Sequence, residues 1–359
     1  MNTFEHVTLP QRVLFGAGRA AENLHSEVER LGACAVMVIA GSSEEAIAAS
    51  VTSQITAALY YDDVAPHVPI DKAVKARAAA HEYAIDLLVC IGGGSTTGLA
   101  KAVALTTGLP IVAVPTTYAG SEATNVWGLT EHSHKTTGVD DTVLPVTVIY
   151  DAELTRTLPV DLSVASGLNA LAHCVDSMWA PRTDPINQSL AVEGIRALST
   201  GLPAIRTADP DTLAGRDEAL YGAYLSAVAF ASAGSGMHHK ICHVLGGAYN
   251  LPHAQTHAVV LPYVLAFLGP SAPAAEARIA AAFGTPRALD GLNTLRSSLD
   301  APTALADHGL AEENITKAVE LILPYIPAST PRPVTSDNLE ALLRAAWAGD
   351  PPTTEALQS

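Results

Sequence analysis

The chain has 359 residues, 48% of them hydrophobic and only 16% charged, so it is long enough for two domains and composed to bury a large core rather than stay disordered. Its net charge of −16 argues against nucleic acid and acidic membrane surfaces as partners. Four scattered cysteines without a CxxC fit reduced thiols, the start MNTFEHVTLPQRVLF has no basic-then-apolar leader pattern, and no apolar stretch reaches membrane-spanning length; a cytoplasmic protein is expected.

Up to about residue 150, short apolar runs alternate with Ala-rich segments. QRVLF leads into FGAGRAA (15–21), and AVMVIA (35–40) closes on Gly41-Ser42. DLLVCIGGG (86–94), IVAVPTT (111–117) and VTVIYD (146–151) follow, with DKAVKARAAAHEYA (71–84) and STTGLAKAVALTTG (95–108) reading as helices between them. Alternating strand and helix predicts a mostly parallel sheet covered on both faces. After Leu158-Pro159 the pattern turns to long Ala/Leu-rich helices, broken at Pro181, Pro203, Pro210, Pro252, Pro262 and the turn GPSAP (269–273), with no strand. The expected division is an α/β domain over 1–155 and a helical domain over 156–359, ending in a loose tail, DPPTTEALQS.

Two glycine-rich segments compete for a phosphate. FGAGRAA matches G-x-G-x-x-A, but the strand at 35–40 ends in Ala-Gly-Ser, without the acidic residue a dinucleotide fingerprint wants there. It reads as a turn between an edge strand and a helix. IGGGSTTGLAKA (91–102) follows a buried strand and opens a helix, where backbone N–H groups and the helix dipole favour an anion. Ser95 and Thr96 are placed to cap that helix. PTTYAGSEAT (115–124), after the next strand, adds hydroxyls to the same carboxyl edge.

The helical half carries two i,i+4 pairs, Asn169–His173 and His239–His243, and a further His253 in LPHAQTHAVVLP. Residues four apart share a helix face, so three imidazoles and an amide converging on one point can either hold a divalent metal or bind and protonate an anionic substrate. His238 and His257 read equally well as substrate contacts or as helix packing. Cys242 reads as a buried structural thiol, and His132 and His134 as a solvated loop.

GGGST (92–96), PTT…GSE (115–122), the NxxxH of SGLNALAHCVD, HxxxH and PH, in that order, resemble the iron-containing alcohol dehydrogenase superfamily. WGLTE (127–131), KTTG (135–138), VIYDAELT (148–155) and PHAQTHAVVLP resemble its maleylacetate reductase branch. The resemblance implies a Rossmann-like α/β N-terminal domain plus an all-α C-terminal domain, in a dehydroquinate synthase-like architecture with the active site in the cleft between them, and a homodimer. It implies NADH or NADPH at Gly41, Ser42, Gly92, Gly93, Gly94, Ser95, Thr116, Thr117, Tyr118 and Lys135, with neither Gly41 nor Ser42 choosing between the two.

In metal-dependent relatives the ligands would fall at Asn169, His173, His239 and His253, and the proton-handling residue at His243. Asn169 replaces the only anionic ligand, so no metal is expected, with His173, His239 and His253 as the fallback ligands. The implied reaction is NAD(P)H-dependent reduction of the C=C bond of a small dicarboxylate, maleylacetate, to 3-oxoadipate in aromatic-compound degradation. His243 donates the proton; Asn169, His173, His239 and His253 position the substrate from a cationic pocket; His238, His257 and Lys240 are candidate substrate contacts. The alternatives are a metal-dependent alcohol or polyol dehydrogenase on the same fold and a lyase of the dehydroquinate synthase type.

Overall fold

Strands buried at every residue need cover on both faces, and four segments meet that description: β2 (Val36–Ile39), β4 (Leu87–Gly92), β5 (Ile111–Pro115) and β8 (Thr147–Tyr150). The computed structural model describes residues 3–131, 134–209 and 212–354. In it, these strands join β1 (Arg12–Phe15) and β3 (Ala57–Tyr61) in one parallel sheet of order β1-β8-β5-β4-β2-β3. The two strands with exposed residues are the two edges. Successive side chains go to opposite faces. Met37, Ile39, Leu88 and Cys90 pack against α3 (Ile70–Glu82) and α4 (Gly94–Thr107). Val36, Val38, Leu87 and Val89 pack against α1 (Ala20–Leu31) and α2 (Glu45–Val51).

An antiparallel hairpin follows β5, made of β6 (Val126–Glu131) and β7 (His134–Val139). It draws WGLTE and KTTG into strands, and His134 with them, where a loop was expected; His132 lies outside the described residues. Lys101, fully buried on α4, ties down the approach to this hairpin. Its Nζ donates to the carbonyls of Ser121, Thr124 and Val126 and to Thr124 Oγ1, at 2.6–3.0 Å.

FGAGRAA is indeed a turn behind an edge strand. The N–H groups of Gly18 and Ala20 donate to the Asp151 carboxylate at 2.8 and 2.9 Å, so the chain itself supplies the anion there.

From Val160 on, the described residues contain helices and no strand: α5 (Val160–Ser177), α6 (Pro185–Thr207), α7 (Arg216–Ala233), α8 (Met237–Tyr249), α9 (His253–Leu268), α10 (Pro273–Phe283), α11 (Ala288–Ser298), α12 (Ile315–Ile322) and α13 (Ser336–Ala348). α5 packs on α6 and α9, and α9 on α8. Asp184 and Asn187 form a reciprocal cap at the start of α6. Pro203 and Pro262, expected as breaks, lie inside α6 and α9. Continuous burial from Thr256 to Leu268 outweighs the roughly 3 kcal/mol that an interior proline costs.

The chain divides into two units that are not contiguous in sequence. The α/β unit holds Thr8–Leu158 and Asp209–Leu220; the helical unit holds the residues up to Val7, Pro159–Ala208 and everything from Tyr221. Among the described residues no helix is long and apolar enough to cross a membrane.

Candidate active site

In the α/β unit, the three segments expected to hold a nucleotide follow β2, β4 and β5, which are neighbours in the sheet. Parallel strands carry their carboxyl ends on one edge, so Gly41-Ser42, Gly92–Ser95 and Thr116-Thr117 share that edge. Gly92 ends β4 at φ +150, a conformation L side chains rarely adopt, and a Cβ there would lie 2.6 Å from Thr96 Oγ1. Gly93 is the N-cap of α4, and no side chain caps this helix.

Ser95 and Thr96 lie inside α4 rather than before it, so the expected side-chain cap is absent and the first N–H groups are left to face an anion. Thr116 N–H donates to Gly92 O at 3.2 Å, joining the β4 and β5 ends. Tyr118 is fully buried. Lys135 stands on β7 in register with Thr130.

In the helical unit, α5 presents Asn169 and His173, α8 presents His238, His239 and His243, and α9 presents His253 and His257. Their rings form a continuous cluster. The centroids of His173 and His239 are 4.9 Å apart and stacked, those of His239 and His243 5.8 Å, His243 and His253 6.3 Å, and His253 and His257 4.4 Å. Phe230 of α7 closes one side, 4.8 Å from His173 and 4.3 Å from His239.

Asp176 anchors the cluster, and the sequence reading passed over it. Its fully buried carboxylate accepts from His239 Nδ1 at 2.7 Å and from the N–H groups of Gly236 and His238 at 2.8 and 3.3 Å, where α8 begins. One side chain thus terminates α8 and orients an imidazole. The signal was its spacing: Asp176 stands three residues past His173, on the same face of α5.

Burial sets the charge. His173 is pushed down to about 4 and His238 to about 3, both chiefly by desolvation. His239 and His257 fall well below the ordinary histidine range, from burial and then from neighbouring imidazoles. Asp176 rises to about 7 through burial, against the N–H groups that hold it. The expected cationic pocket is therefore corrected at His173 and His239: like His238 and His257 beside them, they lie in a low-dielectric interior that disfavours their charged forms. His243 is half-buried, His253 exposed and Lys240 half-buried, so these three face solvent.

Several buried polar atoms point at nothing in the protein: Asn169 Oδ1, His173 Nδ1, His238 Nδ1, His239 Nε2 and His257 Nε2 have no hydrogen-bond partner. Buried polar groups are normally satisfied, so this concentration of unpartnered atoms makes the cluster a candidate ligand site. His238 Nε2 and His257 Nδ1 are bonded to each other at 2.9 Å, with Cys242 Sγ 3.6 Å from His238 Nε2. Among the described residues, this is the one group of three His, Cys, Asp or Glu side chains brought within ligand reach of one another. Burial holds the Cys242 thiol well above its ordinary pKa, as expected of a structural thiol.

The comparisons with known proteins agree over the whole chain. Residues 10–152 match the family model for iron-containing alcohol dehydrogenase, and residues 163–347 the C-terminal model of the same family. Maleylacetate reductase from Pseudomonas sp. (strain P51) is 44% identical over 97% of this chain and 99% of its own. The solved maleylacetate reductase from Rhizobium sp. strain MTP-10005 is 41% identical, with a TM-score of 0.92 over 98% of this chain and 100% of its own. A solved iron-containing alcohol dehydrogenase from Corynebacterium glutamicum is 62% identical, with a TM-score of 0.97 over the full length of both.

Proposed function

Because the chain belongs to the iron-containing alcohol dehydrogenase family, we propose that it is a maleylacetate reductase, an oxidoreductase that reduces the C=C bond of maleylacetate with NAD(P)H and yields 3-oxoadipate. The observation that carries the reading within this molecule is the set of unpartnered polar atoms on Asn169, His173, His238, His239 and His257. They suit a polar ligand that both accepts and donates hydrogen bonds.

Bound NAD(P)H supplies the hydride, which enters at the alkene carbon β to the ketone. The residues do the rest. Neutral imidazoles whose free nitrogen carries the proton donate to the substrate carboxylate and to the enolate oxygen as its charge develops. Asn169 orients the same group through its amide N–H, and His239, with its proton on Nδ1 toward Asp176, offers Nε2 as an acceptor. His243, half-buried and able to recover a proton from solvent, delivers a proton to the α carbon. The glycine-rich edge of the sheet binds the cofactor: Gly92–Ser95 and the start of α4 hold the pyrophosphate, and Thr116, Thr117, Tyr118 and Lys135 complete the site.

The residues present do not fit the iron of the family's name. Asn169, His173, His239 and His253 include no anion, and a neutral amide is a poor ligand for a divalent transition ion. The trio that does come to ligand spacing, His238, Cys242 and His257, has its atoms already bonded to one another and includes no carboxylate. No step here passes through a metal. One observation favours the metal-dependent alternative: a carboxylate on the Nδ1 of a histidine, as Asp176 is on His239, is also how metal-bound imidazoles are oriented.

The deciding experiment follows oxidation of the reduced nicotinamide with maleylacetate, before and after exhaustive chelation. Undiminished turnover is expected; loss restored by iron or zinc would establish a metal-dependent site, and turnover of an alcohol but not of maleylacetate would establish the dehydrogenase alternative. A homodimer and a cytoplasmic location belong to the same reading, and sedimentation velocity tests the first.

A further inference from the structure

The choice between the two nicotinamide cofactors turns on one side chain beyond the end of β2. We propose that Glu44 makes this site selective for NADH over NADPH, by holding a carboxylate where the 2′ position of the adenosine ribose falls. The inference rests on the cofactor site of the proposed function.

Glu44 stands past Gly41-Ser42, where a reading along the strand stops, but the chain turns back on itself there. Glu44 N–H donates to Gly41 O at 2.9 Å, closing a single tight turn over Ser42–Glu44. Its Oε2 then lies 2.9 Å from where a Cβ on Gly41 would be, so the carboxylate sits against the Gly41 α-carbon. Ser43 Oγ donates to the same oxygen at 2.7 Å and fixes its direction. The side chain thereby occupies the place of the acidic residue that dinucleotide-binding folds carry at the end of their second strand. There a carboxylate accepts hydrogen bonds from ribose hydroxyls.

The surroundings deepen the preference. β3, the neighbour of β2 in the sheet, leads into Asp62 and Asp63. Residues 41–71 contain five acids (Glu44, Glu45, Asp62, Asp63 and Asp71) and no Lys or Arg. Lys72, the next residue, is already paired with Asp63. A 2′-phosphate carries roughly −1.5 to −2 charges at neutral pH. Here it would meet a carboxylate, with no cation in these segments free to offset it.

The test is equilibrium binding of NAD+ and NADP+ to the full-length protein by calorimetry, for the wild type and for Glu44→Gln, Glu44→Arg and Glu45→Gln. Wild type is expected to bind NAD+ at least about tenfold more tightly than NADP+, a difference of about 1.4 kcal/mol. Glu44→Gln closes most of that gap through tighter NADP+ binding, and Glu44→Arg reverses it. Glu45→Gln, which alters an exposed neighbour, leaves the ratio unchanged. Equal affinities in the wild type, a ratio unmoved by Glu44→Gln, or an equal shift in Glu45→Gln each overturns the inference and leaves the proposed function standing. Binding of neither nucleotide overturns both.

Discussion

At the carboxyl end of β4 a ligand meets backbone: three glycines, one of them at φ +150, and a helix start that no side chain caps. In the helical unit the candidate site is made of side chains: six histidines and an asparagine packed together, most of them buried. A backbone site has fixed chemistry and fails when a side chain intrudes. A side-chain site keeps its shape when one member changes, yet its chemistry depends on burial and on each neighbour. On the function proposed above, the first holds a constant group such as a pyrophosphate and the second acts on a particular substrate.

Substitutions separate the two kinds of site. The largest effect is expected at His243. Replacement by Gln lowers kcat by about 10²-fold or more if this imidazole is the proton donor, while nucleotide affinity stays level; steady-state kinetics with maleylacetate gives both numbers. Next comes Asp176→Asn. The amide oxygen still accepts from His238 N–H, but an amide nitrogen in the place of Oδ2 donates to His239 Nδ1, forcing the opposite tautomer, and gives up the bond from Gly236 N–H. A fall in kcat of roughly 10- to 100-fold, with KM little changed, marks a positioning role.

On the backbone side, Gly92→Ala drives a methyl toward Thr96 and is expected to weaken NADH binding about tenfold, or about 1.4 kcal/mol, without altering the histidine cluster. Calorimetry reads that directly. The smallest effect is on stability in acid. His173 has a folded pKa of about 4 against an ordinary 6.5, so the unfolded chain takes up its proton first as pH falls. Stability is therefore lost from about 6.5 down to about 4, by at least ~1 kcal/mol. The urea midpoint tracks the loss, and His173→Gln makes it shallower.

The same contrast explains what could be read from sequence. The i,i+4 pairs and the glycines after apolar runs were legible because helix and strand periodicity fix which residues share a face or an edge. β3 was missed because AALYY, at the sheet edge, alternates between partly buried and exposed residues and makes no strong apolar run. The β6–β7 hairpin was missed because its register depends on Trp127 lying over Gly138, a fit between side chain and bare backbone. Glu44 escaped because a tight turn returns it to a residue three positions back. The neutrality of the buried imidazoles escaped because charge follows burial, which residue spacing does not reveal.

The stretch through Val7 belongs with the helical unit, where His6 Nδ1 lies 2.8 Å from Asp184 Oδ2 and 3.2 Å from Ser232 Oγ, and the segment ending at Leu220 belongs with the α/β unit. Each unit therefore borrows a piece from the far side of the other. A ribosome that has released residues 1–158 has not yet made everything the α/β unit contains, and the opening heptapeptide must wait for its partners to be translated. Splitting the gene at that junction would leave both fragments incomplete. A permutant that moved the first seven residues to the carboxyl terminus would put them beside the rest of their own unit in translation order.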